Sequence, residues 1–239
     1  MQSSLKIGNI MDIPIKLDTS FLLALPISAY FFAINSQPYG FAGIEPTAVR
    51  YALSTLSAIF LFVSVLLHEL AHSYLAKRYG ANIDSITLLL FGGVASMEIP
   101  KKPEQEAKIA FAGPLMSLII GFICLFTYNY VVSSDSAFAQ NSIYLIIWVL
   151  GSMNVLLGIF NLLPAFPMDG GRILRSFLAR KMSYVKATHS AASIGKFIAI
   201  LMAIFGIYAG DLWFLLIALY IYGSASNEDR FYSESGRSV

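Results

Sequence analysis

Residues 62–80 read FVSVLLHELAHSYLAKRYG, placing two histidines and a glutamate inside an apolar run of helix length. His68 and His72 are four residues apart, so on a helix they differ by only about 40° and can share one metal ion. Glu69 is offset by about 100°, close enough to reach a bound water without ligating the metal. Zinc lowers the pKa of such a water toward neutrality, and a nearby carboxylate can take its proton. The rival is a pair of satisfied core histidines. An ionisable group inside a membrane costs about 2.5–3.5 kcal/mol on the insertion scale, so three together point to function. The third histidine, His189, stands beside Thr188 and Ser190 and is read as interfacial packing.

A hydrolytic zinc needs a third protein ligand and one open position. The extended version of the motif fails, because Leu75 and Arg78 occupy its glycine and histidine places. Glu98, Glu104 and Glu106 lie in a charged loop and are read as solvated. The preferred candidate is Asp169, in the stretch NLLPAFPMDGGR at 161–172. Pro164 and Pro167 break the preceding helix there. Irregular backbone at membrane depth is tolerated where protein buries it or a wet cavity receives it. The alternative is Asp169 as N-cap of the helix GRILRSFLAR. Charge favours the ligand: zinc with two neutral histidines, Asp169 and ionised Glu69 is neutral, as a low-dielectric site requires.

The elements that must carry these groups are membrane helices. The 239-residue chain is 57% hydrophobic and 13% charged, where a soluble domain carries about 25% charged residues. The expected fold class is an all-α polytopic membrane protein with a small cytoplasmic-side β-sheet or hairpin. Six spans are expected, near residues 19–35, 51–77, 108–131, 143–163, 188–209 and 211–225. Lysines and arginines gather at 77–108 and 172–196, while segments 132–142 and 209–212 hold none. The positive-inside rule therefore puts both termini and the basic segments in the cytoplasm of a multi-pass cell-membrane protein. His72 precedes Lys77 and Arg78 closely, so the motif lies roughly 10–15 Å from the cytoplasmic face. The expected domain is 1–226, with a polar tail at 227–239. No cleavable signal peptide is expected. The net charge of +2 argues for no nucleic-acid partner. Cys124, alone in an apolar run, is read as packing.

HELAH in a membrane span, with NLLPAFPMDGGR about a hundred residues on, resembles the site-2 protease family of intramembrane zinc metalloproteases. The likeness extends to Gly92-Gly93 and to Phe111-Ala112-Gly113-Pro114-Leu115. It implies one Zn²⁺ per chain held by His68, His72 and Asp169, with Glu69 as catalytic base. It also implies that Asn161 holds the substrate backbone or stabilises the oxyanion. Two departures stand out: Met168 replaces the usual leucine, and Ser117 stands where many members have asparagine. The implied substrate is a transmembrane protein in the lipid bilayer; the oligomeric state is left open.

A helical peptide bond is shielded by its own hydrogen bonds, so a substrate helix must unwind. Ser85–Phe91 and Val94–Ile99 flank Gly92-Gly93, which reads as a two-residue hairpin turn. Lys6–Lys16 also reads as short strands. A sheet built from them is expected to hold extended substrate along a free edge, with Gly92 and Gly93 as substrate-binding residues. Gly113-Pro114 reads as a helix-start and packing feature. The alternative function is a metal-ion or proton transporter using the same intramembrane His/Asp site. It requires polar groups continuing outward, and span two offers only Ser54, Thr55, Ser57 and Ser64.

Overall fold

The computed structural model describes residues 4–89, 92–97, 102–134 and 144–235. Phe91, Glu98, Ile99 and Lys101, used in the sequence reading, lie outside the described residues. The elements run β1 (Ser4–Ile10), β2 (Ile13–Asp18), α1 (Phe21–Ile34), α2 (Thr47–Arg78), β3 (Ile83–Leu89), β4 (Gly92–Met97), α3 (Pro103–Ser134), α4 (Leu145–Asn161), α5 (Asp169–Ala179), α6 (Tyr184–Ala209) and α7 (Leu212–Ser235). The chain is mostly helical with a small four-stranded sheet. Among the described residues, three helices are long and apolar enough to cross a membrane: Thr47–Arg78, Pro103–Ser133 and Tyr184–Ala209. With 14 and 17 residues, α1 and α4 reach about 21 and 26 Å, short of a hydrocarbon core of about 30 Å. The polar stretch from Asn227, expected as a tail, continues α7 to Ser235.

The chain forms two compact units, residues 1–98 with 112–159 and residues 99–111 with 160–239. In the first unit the strand order is β1-β2-β3-β4. β1/β2 and β3/β4 pair antiparallel, and β2 runs parallel to β3. A parallel pair needs a long crossover, and α1 with α2 supplies it. Met11 and Asp12 turn the first hairpin with φ of 55° and 62°, the left-handed pair that a type I′ turn demands. Lys77 Nζ donates to Met11 O at 2.9 Å, tying that turn to the end of α2.

The glycine pair is placed differently from the expectation. Gly92 and Gly93 are the opening residues of β4, opposite Leu89 and Leu88, and do not form the turn. Two reasons for glycine replace the turn reading: Gly92 has φ +133°, and a Cβ on Gly93 would lie 2.5 Å from Glu69 Cγ. Ile13, Ile15 and Ile86 of the sheet pack on Leu70 of α2. Phe32, Phe41, Leu53, Ala58, Ile146 and Val149 join α1, α2 and α4 in a second core. On α3, Leu115, Ile119, Phe122 and Phe126 are exposed. A helix apolar on its outer faces suits lipid.

In the second unit, Ala165 and Met168 pack on Ala199 of α6 and Ile221 of α7. Phe166 packs on Ala191, Ala192 and Ala225. The irregular segment between α4 and α5 is thereby part of a core.

Candidate metal centre

α2 delivers the histidine pair. Its apolar residues hold it against the sheet and α4, and its helical spacing sets the two imidazoles edge to face with centroids 4.8 Å apart. Both rings are buried and Glu69 is half-buried. α3 meets this face with two features. Ser117, itself fully buried, lies with Oγ 2.9 Å from His68 Nδ1. With Nδ1–H donating to that hydroxyl, Nε2 is the ring nitrogen that carries the lone pair a metal needs. One turn earlier, a Cβ on Gly113 would meet Nε2 of His72 and lie 2.6 Å from Nε2 of His68. Both ligand nitrogens therefore face a spot that only glycine leaves clear. An oriented imidazole pair before a gap that a methyl group would fill suits zinc.

Gly113 was read from sequence as a packing glycine; what it packs against is the imidazole pair. Ser117 carried no assigned role. The available signal was their spacing, four residues apart on one helix, with a further glycine four beyond at Gly121.

Asp169 belongs to the other unit and is built by a different device. Pro164 and Pro167 have no N–H, so the backbone donors of the break are those of its other residues. Ala165 N donates to Leu163 O at 2.7 Å, and Met168 N to Ala165 O at 2.9 Å. A Cβ on Gly170 would strike the carbonyl oxygens of Leu162 and Leu163, and one on Gly171 would lie 2.8 Å from the backbone of Ala165 and Phe166. The Gly-Gly pair thus lets α5 start directly on the break. α5 begins at Asp169, with Met168 in the capping position, so the N-cap alternative does not describe it. The carboxylate is buried, and a helix N-terminus favours negative charge. Asn161 ends α4, just before the break.

The three glutamates weighed as ligands separate. Glu98 lies outside the described residues. Glu104 is exposed, 3.9 Å from Arg180 Nε. Glu106 is not solvated as expected: it is 1% exposed and bound to Arg175. Arg175, within the basic stretch 172–196, is 3% exposed; burial opposes its charge, but Glu106 beside it keeps the guanidinium protonated. His189 pairs with Asp229 at 2.9 Å. Among the described residues, His68 and His72 of the first unit and Asp169 of the second are all buried.

Within the first unit, two helix-borne imidazoles with a glutamate beside them, carried on apolar helices, have the chemistry of a metal site. Comparison with known proteins names the family: residues 56–134 and 130–202 match the model of peptidase family M50, and the chain belongs to it. The chain is 42% identical over 231 residues to the zinc metalloprotease MJ0392 of Methanocaldococcus jannaschii, covering 96% of this chain and 62% of that protein. It is 31% identical over 239 residues to Rip3 of Mycobacterium tuberculosis, covering 96% and 59%. Among solved structures, a site-2 protease from Methanocaldococcus jannaschii matches with TM-score 0.66 and 40% identity over 95% of each chain. The chain spans about three fifths of the length of the curated relatives it matches. The transporter alternative finds no support among these relatives.

Proposed function

We propose that the chain is a zinc-dependent intramembrane protease that hydrolyses peptide bonds within or near transmembrane segments of a substrate protein. The observation that carries the reading is the imidazole pair of α2, its Nε2 atoms facing Gly113, in a chain of family M50. In this reading His68, His72 and Asp169 hold one zinc ion and leave a coordination position open. Zinc bound there supplies Lewis acidity to a water and to the scissile carbonyl.

Glu69 takes the proton of the attacking water as its oxygen bonds to the carbonyl carbon. It then passes that proton to the leaving amine as the C–N bond breaks. The Asn161 amide donates to the substrate backbone near the developing oxyanion. β4 is an edge strand, and Gly93 backs onto the Glu69 side chain. An unwound substrate segment adding to that edge is held extended beside the base. Glu69 is only half-buried, which suits a base that water must reach.

The shorter α1 and α4 and the apolar half of α7 join the three long helices to make six spans. Lys77, Arg78, Arg172, Arg180, Lys181 and Lys186 then place both termini in the cytoplasm and the site nearer that face. The test uses the purified full chain in detergent with a membrane-helix substrate. Wild type is expected to cleave with one zinc per chain. Glu69→Gln should keep the zinc and lose about 10²–10⁴-fold in rate, and Asp169→Ala should lose the zinc. Equal product from wild type and Glu69→Gln would sink the reading.

A further inference from the structure

Arg175 of the second unit binds two carboxylates and lies against three rings, and the reaction sketched above does not use it. It is 3% exposed, on α5, two turns after Asp169. Its Nε and Nη2 donate to Glu106 Oε1 at 3.0 and 2.5 Å, and its Nη1 to Glu228 Oε1 at 2.6 Å. Its Cζ lies near three ring centres, 5.0 Å from that of Phe166, 4.9 Å from that of Tyr184 and 5.1 Å from that of Tyr232. Tyr184 closes the network by donating its hydroxyl to Glu106 at 3.2 Å. Ser176, the next residue, donates Oγ–H to Pro103 O.

We propose that Arg175 is a positioning residue for Asp169, locking α5 onto the turn from which it springs. The proposal rests on the reading of Asp169 as a zinc ligand. Asp169 lies between Phe166 in the break and Arg175 on the helix, so stacking Arg175 on Phe166 closes that segment on itself. Glu106 at the start of α3 and Glu228 with Tyr232 on α7 anchor the closed segment from outside. A buried guanidinium must satisfy its donors with good geometry, and Arg presents them in a rigid planar fork. α5 therefore has one seat. The influence on Asp169 is transmitted through backbone placement, where an error near 1 Å matters to a reacting site. Gly170 and Gly171 let the helix sit close to the break; Arg175 keeps it there.

The experiment compares the full chain in detergent with Arg175→Lys, Phe166→Leu and the double variant Arg175→Met/Glu106→Gln. Zinc affinity is measured by chelator competition beside thermal unfolding, kcat and KM. Lysine keeps the charge but loses the fork and the stacking plane. The double variant removes charge from Arg175 and the buried Glu106 together, and the Glu228 carboxylate that remains is partly exposed to water. The expected result for Arg175→Lys and the double variant is folded protein whose zinc affinity falls at least about tenfold, the lower end for groups that orient metal ligands. kcat should fall with KM nearly constant, and Phe166→Leu should follow in the same direction. A purely structural role would lower the unfolding temperature and leave zinc affinity of the folded protein at the wild-type value. That pattern in Arg175→Lys, or in the double variant where lysine does not fold, overturns the proposal. A wild-type chain that binds no zinc overturns instead the reading on which it rests.

Discussion

Replacing Gly113 by alanine separates the needs of the fold from the needs of the site. In an ordinary helix interior this change stabilises by about 0.5–1 kcal/mol, because glycine has more chain entropy to lose. Here the added Cβ would lie 2.5 Å from His72 Cε1 and 2.6 Å from His68 Nε2. Carbon atoms in contact normally sit about 3.5–4.0 Å apart, so the rings or the helix must retreat by roughly 1 Å. Overpacking of that kind costs about 1–3 kcal/mol, which the helix propensity of alanine partly offsets. The net effect on folding is thus a loss of about 0–2.5 kcal/mol. The zinc site has no such offset, because the atoms that must retreat are the ligand nitrogens and the methyl fills the space before them.

Changes in groups that merely support metal ligands cost ten- to hundredfold in affinity. Displacing the ligands should exceed that range, so Gly113→Ala is expected to bind zinc at least about a hundredfold more weakly. The assay is elemental zinc per purified chain, followed by chelator competition and thermal unfolding. Gly121→Ala, two turns further along α3, is the matched control. Its Cβ would meet Val155 Cγ2 at 2.7 Å and never touch an imidazole. It should lower stability by a comparable amount and leave zinc affinity unchanged. Gly113→Ala that folds and binds zinc like wild type would refute the geometry.

Two further outcomes follow from the same face of the molecule. Gly93→Val would drive a side chain into Glu69, with Cβ 2.5 Å from its Cγ, while leaving the histidines in place; zinc content should stay at one per chain while kcat falls by two orders of magnitude or more, the share of a general base. Unaltered turnover would show that β4 does not abut the working base. Ser117→Ala removes the hydroxyl 2.9 Å from His68 Nδ1 and should weaken zinc binding about ten- to hundredfold at nearly constant unfolding temperature; an unchanged dissociation constant would show that the hydroxyl does not orient His68.

Parts of this architecture were legible because they depend on local order in the chain. His68, Glu69 and His72 share a helix, so their spacing alone states their geometry. The two prolines before Asp169 announce a break whatever surrounds it. Strands around Lys6–Lys16 were legible from alternation, but the turn residues were not. Met11-Asp12 lacks the Asn-Gly signature of a type I′ turn, and Lys77 from a distant helix supports it instead. Gly92-Gly93 carried the turn signature and lies in a strand, because glycine answers to close approach as well as to backbone freedom. Glu106 and Arg175 were misjudged for a related reason. Charges near a helix start normally meet water, and only the fold reveals that these two meet each other.

Gly113 and Ser117, which the sequence reading named without a part in the site, show where such readings run out. On α3 they belong to the series Gly113, Ser117, Gly121, small residues every fourth position along one face. That spacing is the usual mark of close helix approach in membranes, and Gly121 obeys it by meeting Val155 of α4. Seen alone, the series calls only for two backbones to draw near. At Gly113 and Ser117 the closeness serves another end, since what approaches is the imidazole face of α2. A side chain at 113 would block the ligand nitrogens, and an apolar one at 117 would leave His68 Nδ1 without that hydroxyl. Helix packing and metal chemistry therefore ask for the same small residues. The chain alone cannot say which demand is being met until the partner helix is known.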